Sequence, residues 1–302
     1  MKIKNIHPVS RRKFIGLAAT AAISSGITGF VPGSVMGDTK AISISEAIKL
    51  IIKSVPVAPI NNTVDTVKAG NPDQVLKGIV TTTFATIEVI EKAATIGANF
   101  IIVHEPVFYN HRDETDWLGT DKVLAYKQQL IKKTGVVIWR FHDYWHSEKP
   151  DGVLNGVLQM LGWQQFAEPG NKHVIHIPGA TFGSILKEVK QKLGVPTVKA
   201  IGNPGESCEK ILFMPGAAGG TAQINAIERE QPDLLICGEL QEWETSEYIS
   251  DARSKGDKIA LMVLGHAVSE EPGMVGLVSW LQQKFPGITI THIASHSPFT
   301  WY

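Results

Sequence analysis

Two cysteines, Cys208 and Cys237, are all that this chain of 302 residues contains. That excludes a disulfide framework and a thiolate metal site, and it leaves at most one bridge, which is not expected. Charge of one sign is also missing. The 29 basic and 29 acidic side chains cancel, and no Lys/Arg block interrupts the body. Neutralising phosphates needs a concentrated basic face, so nucleic acid is not the expected partner. No strand-turn-helix GxSxG occurs, which disfavours an acyl-transfer triad. The glycine-rich "FMPGAAGGTAQI" lacks the Gly-Lys-Ser/Thr ending of a phosphate loop and reads as a structural turn between a strand and a helix. What remains is an ordinary globular composition, 43% hydrophobic, enough for one or two cores and suited to a small-molecule partner.

The first 37 residues read as an export signal rather than as structure. In "SRRKFIGLAATAAISSGITGFVPGSVMG" the pair Arg11 and Arg12 forms a twin-arginine n-region. The stretch from Phe14 to Val31 is only weakly apolar and carries Gly, Ser and Thr, as twin-arginine signals do and membrane anchors do not. Cleavage is expected near Gly37, with a periplasmic or exported destination and no membrane attachment afterwards. This route carries folded proteins, which mildly favours a cofactor loaded beforehand.

From residue 41 onward helical and strand patterns alternate. Helices are expected over Ser45 to Val55, Thr86 to Ile96, Asp121 to Thr134 and Gly152 to Leu161, with strands in "GIVTTTFA", "NFIIV" and "VVIWRF". After the connection "GWQQFAEPGNK" a second series runs through "HVIHIP", a helix over Gly183 to Leu193, "VKAIG", "KILFMPG", a helix over Thr221 to Arg229, "DLLICGE" and a helix over Glu242 to Lys255. Such alternation predicts an α/β protein of two lobes, with mainly parallel or mixed sheets flanked by helices. One lobe is expected over 41–165 and the other over 170–257. The last unit, "KIALMVLG", a helix over Ser269 to Phe285 and "ITITHIAS", is expected to return to the first lobe as residues 258–302.

Chemistry-bearing residues gather at strand ends. "IIVHEP" places His104 and Glu105 after one buried strand, "VIWRFHDYWHSEKPDG" places His142, Asp143 and His146 after the next, and "LMVLGHAVSE" places His266 and Glu270 after a third. Open α/β sheets bind ligands at the carboxyl ends of their strands, so three segments converge on one crevice. A helix beginning near Ala267 turns His266 and Glu270, four residues apart, toward one point. Imidazole with carboxylate suits Zn, Fe, Mn or Ni, and two metals sharing a carboxylate would use both members of the His104–Glu105 pair. His111, His173, His176, His292 and His296 have weaker cases. Trp117, Trp145 and Trp243 are either pocket walls or core.

These residues resemble the NIF-three-like dinuclear metal centre hexameric proteins, some of which carry the name type 2 GTP cyclohydrolase I. The resemblance spans about residues 41–297. "VHEPVFY" is similar to a strand-end "HHP" run, with Glu105 where a second histidine is expected. "FHDYWHSEKPDGVLNGVLQMLGW" is similar to the second element, with His146 where the usual aspartate stands and Asp143 near enough to substitute. Gly265, His266 and Glu270 match the third element directly, and "CGE" places Glu239 at the cleft. The resemblance implies two divalent metal ions on His104, Glu105, His146, His266 and Glu270 with His142 alongside, and a hexameric homo-oligomer. About two negative charges against four positive ones would favour hydroxide and anionic substrate groups. Glu239 or Asp143 would relay protons. The expected activity is metal-assisted hydrolysis of a small, anionic substrate, with phosphoesters, cyclic amides and purine-like rings as the candidate classes. A non-catalytic metal-binding or regulatory scaffold, and a metal-free acid/base enzyme using His146 and Glu239, are the competing classes.

Overall fold

A computed structural model of the protein describes residues 41–300; the segment read as an export signal lies outside the described residues. The chain builds α1 (Ile44–Lys53), β1 (Val67–Ala69), β2 (Gly78–Thr82), α2 (Ile87–Thr95), β3 (Phe100–Val103), α3 (Lys122–Thr134), β4 (Val137–Arg140), α4 (Asp143–Ser147) and α5 (Gly152–Leu161). Side-chain caps set the helix starts. Ser43, Thr86, Asp121 and Asp151 each accept the backbone N–H three residues on, satisfying donors that have no partner within the helix.

The first sheet has the order β1-β4-β3-β2-β10, where β10 is Thr289–His292. Its inner pairs are parallel and β1 lies antiparallel at the edge. Every residue of β2, β3 and β4 is buried, as expected of a parallel sheet covered on both faces. Burying each large side chain of "FIIV" contributes roughly 1.5–3 kcal/mol. Val103 pairs with Thr82 on one side and Arg140 on the other, so the strands end level and release their next residues along one edge.

The second series forms β5 (Val174–His176), α6 (Phe182–Leu193), β6 (Lys199–Ile201), β7 (Lys210–Met214), α7 (Gly220–Glu230), β8 (Leu234–Cys237), α8 (Glu247–Ser254) and β9 (Ala260–Val263). Its sheet order is β5-β7-β8-β9-β6, with a parallel centre and antiparallel edges. The fold is therefore α/β, with two sheets flanked by helices. One expectation is corrected here. The strand of "KIALMVLG" belongs to the second sheet, because the α8 crossover delivers β9 parallel to β8. The chain returns to the first sheet only with α9 (His266–Gln282) and β10.

Helix α9 consequently joins the two halves. Near its start Val268 packs on the second lobe's core beside Phe182 and Leu264, whereas Met274, Leu277 and Leu281 lie in the core of the first sheet with Trp139 and Phe141. It crosses α5 at a glycine pair: a Cβ on Gly156 would stand 2.5 Å from Gly273 Cα. The helix expected over Glu242 to Lys255 instead opens with a π-helical turn over Glu242–Ser246. That wider turn carries Glu244, whose carboxylate accepts the Gly220 N–H at 3.1 Å. Among the described residues no helix is long and apolar enough to cross a membrane.

Candidate metal centre

The level ends of β3 and β4 supply the first donors. His104 and Glu105 continue the parallel pairing for two residues, their N–H groups donating to Thr82 and Thr83 carbonyls. His104 is fully buried and its Nδ1 lies 3.2 Å from the Phe141 carbonyl. A carbonyl only accepts, so Nδ1 carries the proton and Nε2 presents its lone pair. The same device recurs twice. His142 Nδ1 meets Asp143 Oδ1 at 2.9 Å, and His146 Nδ1 meets Asp151 Oδ2 at 2.8 Å. The three rings cluster with centroids 4.6 to 4.9 Å apart.

Short helix α4, unforeseen in the sequence, makes this possible by turning His146 back over His142. Its N-terminus is held by Asp65, whose carboxylate accepts the N–H groups of His142, Asp143 and Tyr144 at 2.8 to 3.0 Å. Asp143, expected as a ligand or proton relay, lies behind His142 with both carboxylate oxygens already bonded. One oxygen takes His142, and the other accepts Thr63 Oγ1 at 2.8 Å and the Val64 N–H at 3.1 Å. With both oxygens so engaged, Asp143 orients the His142 ring from behind.

The second half of the site comes from α9. That helix begins at His266 itself, so His266 and Glu270 share its first turn, with Nε2 3.1 Å from Glu270 Oε2. Glu105 Oε1 lies 3.4 Å from His266 Nε2, 3.5 Å from His142 Nε2 and 3.8 Å from His104 Nε2. Glu270 Oε2 also reaches to 3.8 Å from His104 Nε2. Glu239, from the end of β8, stands at the rim with its side chain 56% exposed and 3.5 Å from His266 Nδ1. The glycine-rich turn lies over this group: a Cβ on Gly216 would sit 2.1 Å from Glu270 Oε1. Its helix N-terminus is already taken by Glu244, in keeping with a structural turn.

Electrostatics separate the imidazoles. Burial, reinforced by His146 and His142, holds the pKa of His104 well below the ordinary histidine value, and burial likewise lowers His142. Both therefore stay neutral and keep their lone pairs. Burial alone would lower His266 too, yet Glu105, Glu239 and Glu270 around it push it up to about 12. The carboxylates thus demand a positive charge at this point, which a proton or a cation supplies. Burial raises Glu270, against the pull of His266. His104 Nε2, His266 Nε2 and Glu270 Oε2 are buried without a hydrogen-bond partner. Two overlapping donor sets result: His104, His142 and His146, and His104, Glu105 and Glu270, each offering atoms within 4.8 Å of one another. Unpartnered nitrogens and oxygens converging from distant segments fit a divalent metal.

The Duf34/NIF3 (NGG1p interacting factor 3) pattern matches residues 43–298. The chain belongs to this family. A GTP cyclohydrolase 1 type 2 homolog of Clostridium perfringens is 24% identical over 209 residues, covering 66% of this chain and 75% of the relative. Among solved structures, a Bacillus cereus protein related to NIF3 superposes with a TM-score of 0.70 at 15% identity, over 87% of this chain and all of that one. A hypothetical protein of Staphylococcus aureus gives 0.69 at 17% identity with the same coverage. At such identities the structural likeness speaks for the fold alone.

Sequence reasoning missed Asp65 and Asp151. Asp151 had a signal, since an aspartate heading "GVLNGVLQML" is a helix cap; nothing local marks Asp65. Of the weaker histidines, His173 is bonded to the Phe213 carbonyl and His176 faces Glu168. His292 pairs with Glu271 at 3.0 Å, and His111 meets the His142 ring edge-on. Trp145 is buried in the first core, whereas Trp117 and Trp243 are exposed. Cys208 and Cys237 are both free and buried.

Proposed function

We propose that this chain is a metal-dependent hydrolase of a small, anionic substrate, with two divalent ions shared between the two donor sets. The observation that carries the reading is the convergence of unpartnered Nε2 and carboxylate atoms on His104 from the first sheet and from helix α9. One ring nitrogen serves one cation, so His104 completes the all-imidazole set with His142 and His146, while Glu105, Glu270 and His266 form the second. When bound, the metal supplies Lewis acidity and lowers the pKa of water toward neutrality.

The chain's own groups do the rest. Phe141 O, Asp143 and Asp151 fix three imidazoles by their Nδ1 protons, which keeps the donors rigid. Glu239, held below the usual carboxylate range by its bond to His266, is ionised and reachable from solvent, and its Oε1 accepts a proton during hydrolysis. That open rim favours turnover over closed metal storage. The name of the Clostridium perfringens relative supports a purine-like ring among the substrates to be tried. The Arg11–Arg12 segment supports twin-arginine export of the folded, metal-loaded protein, and the resemblance supports a hexamer.

The test is metal content of protein expressed in metal-supplemented medium, then a panel of phosphoesters, cyclic amides and GTP with and without chelator. Hydrolysis should fall at least about 100-fold on chelation and return with Zn, Fe, Mn or Ni. Equal rates in both arms overturn the reading.

A further inference from the structure

Arg140 is a fully buried guanidinium at the carboxyl end of β4 in the first sheet. A charge so enclosed persists only when its donors are matched. Its Nε donates to the His104 carbonyl at 3.0 Å, and Nη1 donates to the His111 carbonyl. Nη2 lies 3.5 Å from Glu105 Oε2 and Nη1 3.7 Å from Asp113 Oδ2. Asp113 is itself anchored: Oδ1 accepts the Val107 and Phe108 N–H groups at 2.6 and 2.8 Å, and Lys68 Nζ stands 3.1 Å from Oδ2. Charges alternate from Lys68 on β1, through Asp113 and Arg140, to Glu105 at the end of β3.

The consequence falls on Glu105, whose two oxygens have separate duties. Oε2 faces Arg140, whereas Oε1 faces the three nitrogens of His104, His142 and His266. A carboxylate free to rotate would offer either oxygen or both.

We propose that Arg140 is a positioning residue of the metal centre: it occupies one oxygen of Glu105, presents the other alone to the imidazoles, and offsets the carboxylate's charge. Asp113 and Lys68 keep the guanidinium in place. A cation held against Glu105 then retains more of its own positive charge than it would beside an unpaired carboxylate. The inference rests on the metal-centre reading above.

The experiment titrates the purified chain with Zn²⁺ and with Co²⁺, reading affinity by calorimetry and ligand geometry by the cobalt absorption bands, with urea midpoints measured on metal-free protein. Arg140→Met should weaken binding about 10–100-fold and alter the cobalt bands, the usual scale for losing a group that orients a ligand. Combined with Glu105→Gln, it should add no further loss, because both variants break one unit. Should Arg140→Met not fold, Arg140→Lys keeps the charge without the fork and should alter the cobalt bands with a smaller loss of affinity. Unchanged bands and affinity in the folded variants, or losses that simply add, overturn the proposal. A wild-type chain that takes up neither metal overturns the metal reading itself.

Discussion

The carboxyl edges of the two sheets are built from different materials. In the first, every strand end that faces the site delivers an imidazole or carboxylate already tied from behind: His104 to Phe141 O, His142 to Asp143, His146 to Asp151 and Glu105 to Arg140. In the second, β7 ends in the bare backbone of Gly216, β8 ends in the half-exposed Glu239, and β9 leads directly into α9. One lobe fixes donors, and the other adds negative charge and an opening. Donors bonded from behind and a carboxylate that solvent reaches suit the hydrolytic reading proposed above, since fixed ligands set the metal geometry while substrate must still enter.

The comparison breaks most readily at His104, whose fully buried Nε2 lies at the centre of the cluster, near the donors of both candidate groups although it serves one cation. His104→Gln should abolish binding of Zn²⁺ at micromolar concentration, a loss exceeding the 10–100-fold typical of an orienting group. Glu239→Gln, on the open side, should leave affinity within a few-fold and lower turnover instead. If titration calorimetry finds the two variants equally impaired in binding, the division of labour between the lobes is wrong.

Asp151→Asn sharpens the same point with a smaller effect. Asparagine caps a helix about as well as aspartate, so α5 should keep its stability within about 0.5 kcal/mol. The amide cannot accept the Nδ1 proton with the strength of a carboxylate, and His146 loses its fixed tautomer. Metal affinity should fall about tenfold while the urea midpoint stays put. A drop in stability without a change in affinity would make Asp151 a cap and nothing more.

How far the sequence foretold this edge depends on what each residue needed from its neighbours. His104, Glu105, His266 and Glu270 were legible because strand ends and a four-residue helical spacing are local patterns. The groups behind them were not. Arg140 reads as one more residue of the strand "VVIWRF", and its role appears only when β3 brings Glu105 alongside. Asp65 serves α4 from far earlier in the chain, at a distance that periodicity does not measure. Assignment of β9 failed for a related reason. A buried apolar strand carries no mark of which parallel sheet it will join, and the α8 crossover decides it.

The smallest effect concerns an ion pair in the second lobe, far in kind from the enclosed Arg140. Arg253 on α8 holds Glu206 at 2.8 and 3.0 Å, with both side chains about a fifth exposed. The Arg253 hydrogen bond brings the Glu206 pKa down to about 2. A carboxylate depressed in the folded state stabilises above its unfolded pKa of about 4.3, and that stabilisation is lost as pH falls toward 2. Solvent screening at such exposure limits the contribution to under about 1 kcal/mol. Urea titrations at pH 6 and pH 3 should therefore show wild type losing slightly more stability than Glu206→Gln, whose neutral amide has no proton to gain. If the two chains lose stability in parallel, this pair is bound by geometry without contributing energy, and the contrast with Arg140 becomes one of function alone.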